Sequence, residues 1–411
     1  MKRGELEGRL LVLVTLGLTA FGLVMVYSAS SAAAVVGGRD PNYYLKRQGV
    51  YAAVGIALMA WVSRRDYRKL RHAAPTLLVG CLFLLVAVLA VGASVNGARR
   101  WIAFGPAAFQ PSELAKLALA IWAAGYLARR RAPRTLKELA RPIGATCILS
   151  CLLILAEPDL GTAIAIVVML AGILLISGTP ARLLLTATSL AVFAGAAAIW
   201  IEPYRRARVF AFLNPWGDSQ GAGFQVVQAM IGLGSGGLFG VGLGRSVQKV
   251  FYLPEAHTDM IFAVIGEEFG LLGSLAMMAA YAAFAYAGLR VAVYCRDPFG
   301  KRLAAGLTVL VCAQAAINLA AVMSLAPLTG IPLPFVSYGG SSLVVGLASV
   351  GVLLNIASGH GAAAADEVRD RSRRDGRARA ARARGGGGAA GARRAGDVRR
   401  VAGSRRSAAR S

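Results

Sequence analysis

Hydrophobic positions in this chain are packed into long runs separated by short polar segments. Ten runs are long enough, or nearly so, to cross ~30 Å of hydrocarbon. They lie near residues 9–29, 48–62, 74–93, 112–128, 142–156, 161–177, 182–201, 271–289, 303–325 and 336–357. The fifth and sixth are short and are separated only by Glu157-Pro158-Asp159-Leu160. The pattern predicts an all-α polytopic membrane protein with about ten transmembrane helices. The first run follows Lys2 and Arg3 and precedes Ser28-Ala29-Ser30, as in a signal peptide. The stretch from Leu10 to Tyr27 is longer than a typical apolar h-region and many spans follow, so it is read as a retained first helix.

Composition agrees with this reading. Of 411 residues, 56% are hydrophobic and only 16% charged, too little charge for a soluble protein of this length. Five cysteines show no paired spacing, which gives no support to a disulfide framework or a zinc site. Basic residues sort onto one side. Arg64, Arg65, Arg68, Lys69 and Arg71 fill the second connection. Arg129, Arg130, Arg131, Arg134, Lys137 and Arg141 fill the fourth, and Arg290, Arg296, Lys301 and Arg302 the eighth. With ten spans, these connections share a side with both termini, and the positive-inside rule makes that side cytoplasmic. The longest connection, about 202–270, then faces outward between spans seven and eight. It carries Trp216, Phe224, Phe239, Phe251 and Ile261, which argues against disorder. Residues 1–360 read as the membrane domain. Residues 361–411 read as a disordered Arg/Ala/Gly-rich cytoplasmic tail, with fifteen arginines against five acids. Such a tail is attracted to anionic lipid on the inner leaflet, so the +25 net charge does not point to specific nucleic-acid binding.

The notable polar residues cluster at the outer ends of the spans. Asp259 sits between a polar loop and an apolar run, where charge is costly and marks function by default. Asn96, Arg99, Arg100 and Trp101 precede the fourth span. Glu113 and Lys116, spaced i, i+3 at its start, can pair on one helical face. Asp159 opens the sixth span. Arg205, Arg206 and Arg208 begin the long connection, and Lys249, Glu255, His257 and Asp259 end it. Ser337, Tyr338, Ser341 and Ser342 surround Gly339-Gly340 at the last span. Plain structural roles compete with these. Glu113 suits a helix N-terminus, Lys116 can snorkel, Asp159 is a natural N-cap, and Trp101 fits an interfacial belt. Asp259 itself competes with Thr258 to cap the following helix. Three arginines on the outer side run against the charge trend and favour an anionic ligand. Gly232, Gly234 and Gly237 match G-x-G-x-x-G, but the context lacks the strand–helix unit that a dinucleotide site requires. Those glycines read instead as tight turns and close backbone approaches. Cations suited to a phosphate or pyrophosphate, with a carboxylate suited to general-base work, point to a phosphorylated lipid at the outer leaflet.

The motifs VNGARRWI (95–102), FQPSELAKL (109–117), EPDLGTA (157–163), FLNPWGDSQGAGFQ (212–225), LGSGGLFGVGLGRSVQK (233–249), LPEAHTDMIFAVIGEE (253–268) and PLPFVSYGGSS (332–342) together resemble the SEDS family, the shape, elongation, division and sporulation proteins of bacteria. The resemblance covers roughly residues 10–357 and is stronger to the division and sporulation branch than to the elongation branch. Asn214 stands where the family commonly has aspartate, and Met260 where it has phenylalanine.

The resemblance implies an inverting peptidoglycan glycosyltransferase that polymerises lipid II at the outer face of the cytoplasmic membrane, in septal wall synthesis. It implies Asp259 as the base. Arg100, Lys116, Arg208 and Lys249 would hold pyrophosphate or sugar, with Glu113 fixing Lys116, Trp101 stacking on a sugar and Asp159 and Ser337 as further site residues. A divalent metal ion, Mg or Mn, would act at Asp259 or Asp159. The implied partner is a class B penicillin-binding protein, among other division proteins. A lipid II flippase and a non-catalytic scaffold are the alternatives. A span of 259–290 is too long for one straight crossing, so a separate outer segment from Asp259 to Glu268 with a break near Gly270 is expected.

Overall fold

The computed structural model describes residues 4–359 except 39, 96, 97, 106, 222 and 251. The tail reading for 361–411, and the roles suggested for Asn96 and Phe251, lie outside the described residues. The chain is mostly helical. In order it forms α1 (Glu5–Val36), α2 (Tyr43–Ser63), α3 (Leu70–Val91), β1 (Ala93–Val95), β2 (Ala98–Phe104), β3 (Ala107–Phe109) and α4 (Pro111–Ala128). The short α5 (Leu136–Leu139) runs through a wide turn at 140–144 into α6 (Ala145–Ala156). Then follow α7 (Leu160–Ile176), α8 (Ala181–Ile201), α9 (Pro203–Leu213), α10 (Phe224–Ser235), α11 (Ile261–Tyr294), α12 (Pro298–Val322) and α13 (Gly340–Ser358).

Each of the ten apolar runs falls on a helix. Seven stretches are long and apolar enough to cross a membrane by length and composition: those of α1, α3, α5–α6, α8, α11, α12 and α13. The runs on α2, α4 and α7 do not meet that measure alone. α2 opens with Lys46, Arg47 and Gln48, α4 with Glu113 and Lys116, and α7 has 17 residues.

Two elements depart from the sequence expectation. A small antiparallel sheet, ordered β1-β2-β3, joins α3 to α4, pairing Ala93 with Trp101 and Ile102 with Phe109. The 202–270 connection is substantially helical, holding α9, α10 and the first limb of α11. That limb begins at Ile261, so Asp259 precedes it. The break expected near Gly270 is present at Gly270 itself (φ 66°, ψ −159°). Gly240 (φ 80°) packs so tightly on this limb that a Cβ would lie 2.1 Å from the Glu268 carbonyl oxygen. The glycine run therefore serves close backbone approach, as expected, and Gly232 and Gly234 lie inside α10 rather than in a phosphate loop.

The core is built by α1, α2, α4, α7, α11, α12 and α13. α13 packs along α2, α12 lies against both α7 and α11, and α1 against α11. Of the apolar stretches of α12 and α13, 67% is buried within the protein, against none of α8's. The central helices are thus shaped by each other, and α8 by its surroundings.

Candidate functional site

Side-chain hydrogen bonds divide the bundle into two ends. At one end residues from α1, α2, β2, β3, α4, α7, α9, α11, α12 and α13 interlock, and Arg100, Trp101, Glu113, Lys116, Asp159, Arg208, Lys249, Asp259 and Ser337 lie there. Asp259 is half-buried just before α11. Its backbone carbonyl accepts from Asn318 Nδ2 (2.7 Å), which also donates to the Ile331 carbonyl (2.8 Å). Thr258 Oγ1 lies 3.1 Å from Asp259 Oδ1. Arg208, on α9, donates through Nη1 to the Leu328 carbonyl (3.1 Å). A methyl group built on Gly330 would lie 4.0 Å from both Arg208 Nη1 and Asp259 Oδ2. Guanidinium and carboxylate therefore flank one short backbone segment, 328–331. Burial raises the Asp259 carboxyl above its ordinary value, and the Thr258 hydrogen bond and the Arg208 charge pull against that rise.

The same segment reaches the second acidic cluster. A Cβ on Gly161 would meet Thr329 and Ile331. Asp159 caps α7, its Oδ1 accepting from Thr162 N (3.0 Å) and its Oδ2 from the Thr162 hydroxyl (2.8 Å). The N-cap role expected for it is therefore filled, and Gln110 Nε2 lies 3.5 Å from Oδ2. Arg100, on β2, donates through Nε to the Glu157 carbonyl (2.6 Å) and through Nη2 to the Pro158 carbonyl. Trp101 follows it, half-buried. Glu157, which the sequence reading passed over, is fully buried, and neither carboxyl oxygen has a hydrogen-bond partner among the described residues. Burial first, then the neighbouring Asp159 charge, raises its carboxyl to about 8, with Arg100 opposing.

Glu113 and Lys116 form the pair that their spacing predicted, at 2.8 Å and buried. Lys249 is buried too, bonded to Glu268 Oε1 (2.9 Å) and Ser28 Oγ (3.1 Å). Both lysines are thus committed to internal carboxylates, while Arg100 and Arg208 donate to backbone carbonyls. Ser337 accepts from Leu333 N (2.8 Å), and Gln48 Nε2 donates to its carbonyl (3.1 Å). Ser341 Oγ accepts from Gln110 N (3.0 Å), fastening α13 to the start of α4. The His257 ring sits 4.3 Å from that of Tyr44, and burial lowers its imidazole to about 4, so it is neutral at pH 7. Of the other outer arginines, Arg206 lies over the Trp200 ring and Arg99 is exposed. Among the described residues no three His, Cys, Asp or Glu side chains gather closely enough to hold a metal ion. Asp159 and Asp259 thus do not form a protein-built cage for a divalent cation among the described residues.

The residues that sequence reasoning missed are Glu157, Gln48, Gln110, Ser28, Glu267, Glu268 and Asn318. One signal was available: Glu267-Glu268 is a pair of carboxylates inside an apolar run, which by the rule applied to Asp259 marks function.

Apolar helices around buried ion pairs, with carboxylates and arginines gathered at one end, define an integral membrane protein with a polar site at the end of its bundle. The chain belongs to the FtsW/RodA/SpoVE family of cell cycle proteins, whose sequence profile matches residues 8–361. It is 42% identical over 361 residues to the probable peptidoglycan glycosyltransferase FtsW of Geobacter sulfurreducens, covering 87% of this chain and 97% of that one. It is 39% identical over 354 residues to the stage V sporulation protein E of Bacillus subtilis, covering 84% and 96%. Among solved structures it resembles a chain of a peptidoglycan synthase complex that coordinates polymerization and crosslinking (TM-score 0.70, 31% identity, 85% and 97% covered). It also resembles the rod shape determining protein RodA of Thermus thermophilus (TM-score 0.64, 29% identity, 85% and 96% covered).

Proposed function

We propose that the chain is a peptidoglycan glycosyltransferase that polymerises lipid II at the outer face of the cytoplasmic membrane, with Asp259 as general base. The observation that carries this is the half-buried Asp259 carboxylate facing Arg208 across Gly330. The names of the relatives supply the reaction class. The family's description as cell cycle proteins supports septal wall synthesis as the setting.

Asp259 takes the proton from the acceptor sugar's 4-hydroxyl as its oxygen attacks the donor's anomeric carbon. The new C–O bond forms on the face opposite the breaking bond to pyrophosphate, which inverts the configuration. The electron pair leaves with undecaprenyl pyrophosphate. Partial burial that raises the Asp259 carboxyl makes it a stronger base than an exposed aspartate. Arg208 and Arg100 meet the charge that develops on the leaving group, as fixed donors do in other transferases. Glu113 and Lys116 hold the start of α4 in place beneath them, and Trp101 offers a ring face to a sugar.

The match to a complex that couples polymerization with crosslinking supports a class B penicillin-binding protein as partner. The test is polymerisation of purified lipid II by the wild type and by Asp259→Asn, each with and without that partner. Glycan chains from the wild type alone support the assignment. Chains from both proteins remove Asp259 from the role of base.

A further inference from the structure

Lys249 and Glu268 are 19 residues apart in sequence, yet their side chains meet in a buried ion pair of 2.9 Å. Asp259 lies ten residues after Lys249 and nine before Glu268, at the middle of the chain segment that this pair closes. The closure is reinforced at its base. Glu267 accepts from Val247 N (2.8 Å), Gln248 N (3.4 Å) and the Ser246 hydroxyl, and Lys249 N donates to Ser246 Oγ (3.3 Å). The base is also fastened to the first helix. Ser28 Oγ donates to the Glu268 carboxylate (2.7 Å to Oε1) and accepts from Lys249 Nζ (3.1 Å). The middle of the segment is held elsewhere, by Asn318 at the Asp259 carbonyl and by Tyr338 N at the His257 carbonyl (2.9 Å).

We propose that Ser28, Lys249 and Glu268 form a latch that closes the base of the Asp259-bearing strap and secures it to α1, so that Lys249 is a positioning residue and not a phosphate ligand. This rests on the reading of Asp259 as the base. All three side chains are buried, and the lysine's charge is met inside the protein. A lysine that binds a leaving pyrophosphate needs its ammonium turned toward that group. A lysine that closes a loop needs a partner at the loop's other end, as here. The latch restricts the strap's freedom before substrate arrives, and displacement of a reacting group by about 1 Å is enough to cost about a hundredfold in rate. It also gives Ser28-Ala29-Ser30 a purpose. In this fold the sequence that resembles a processing site supplies part of the scaffold around Asp259.

The experiment compares the wild type, Lys249→Met, Glu268→Gln, the double variant and Ser28→Ala. Initial polymerisation rates against lipid II concentration are read beside thermal unfolding in detergent. Lys249→Met should lower kcat about a hundredfold with KM within about twofold, because the chemistry and not the binding is disturbed. The double variant leaves no unpaired charge and should recover about tenfold over Lys249→Met, a coupling that independent sites do not show. Ser28→Ala should lower kcat without raising KM. A raised KM with kcat kept in Lys249→Met would overturn the latch in favour of phosphate binding. So would a double variant no better than the worse single, or an unchanged kcat in Ser28→Ala. Where a single variant does not fold, the double must fold, or the latch is refuted. If the wild type makes no glycan with or without partner, the polymerase reading fails first. The latch is then judged on unfolding temperatures, where additive effects of the two singles refute it.

Discussion

The two ends of the bundle are built to different rules. The end opposite the site carries the arginine-rich connections and closes with ordinary devices. Asp297 caps α12 by accepting from Gly300 N (3.0 Å) and accepts from Tyr67 OH (3.0 Å). Asn355 accepts from Tyr67 N (3.1 Å) and donates to the Ser63 carbonyl (2.7 Å), and Arg302 Nε donates to Ser177 Oγ (2.9 Å). Among the described residues its one salt bridge across helices, Arg290 with Glu7 at 3.5 Å, leaves the arginine partly exposed. The site end instead holds two fully buried ion pairs, a fully buried carboxyl without a hydrogen-bond partner among the described residues, and left-handed backbone at Glu255 (φ 54°), Ser324 (φ 55°) and Phe335 (φ 67°). Such backbone costs about 1–3 kcal/mol at each position and persists where the surroundings over-determine it. The difference teaches that the stability of this fold comes from the apolar core and the plain end, and is drawn down at the end where charge must be handled.

The contrast breaks most visibly if matched arginines at the two ends are equivalent. Arg208→Met should lower kcat/KM for glycan synthesis by about 10²–10³, the loss seen when one fixed donor at a developing charge is removed. Arg302→Met should leave it unchanged in the same polymerisation assay. A second test concerns buried charge. Lys116→Met strands Glu113 and should destabilise by about 3–5 kcal/mol, while Lys116→Met with Glu113→Gln recovers most of that, read by denaturant or thermal unfolding in detergent.

The third test is pH dependence at Glu157. Its carboxyl, at about 8 when folded, lies above the ordinary value of 4.5. Between those two values the folded state keeps a proton that the unfolded chain has lost. Stability from this group is therefore full below pH 4.5 and declines as pH rises toward 8. The slope approaches ~1.4 kcal/mol per pH unit at most. Glu157→Gln removes the decline, so the variant should gain on the wild type as pH rises from 5 to 8, and parallel pH profiles would refute the assignment. The smallest effect belongs to the plain end. Tyr67→Phe loses one hydrogen bond to Asp297 and should cost about 1 kcal/mol in unfolding free energy with activity unchanged.

Legibility in the sequence followed the range of the interactions. The helices were readable because an apolar run declares itself over 15 to 25 neighbouring residues. The break at Gly270 was readable because the length from Asp259 onward exceeded one crossing. Within the site, the Glu113–Lys116 pair and the Asp159 cap were readable, since both are settled within one helical turn. The β1–β3 sheet was not, because two of its strands have only three residues and its polar and glycine positions read as a plain connection between runs. Nor were α9 and α10, whose 11 and 12 residues fall below the length of a span and were absorbed into one connection. The Ser28–Glu268 contact joins residues 240 positions apart, and Gln48–Ser337 joins residues 289 apart. No local spacing announces such a meeting, and only packing of the helices creates it.

The isolation of α8 has a mechanical consequence. Leu183 is its only buried residue among those described, and its main contacts are with its chain neighbours α7 and α9. Glu202 alone separates it from α9, which carries Arg208 to the Asp259 carboxylate. A helix with so little protein around it has few neighbours to fix its tilt, and tilting is one way a span accommodates a bilayer of different thickness. One residue thus links the helix most exposed to its surroundings to the helix that brings a guanidinium beside the Asp259 carboxylate.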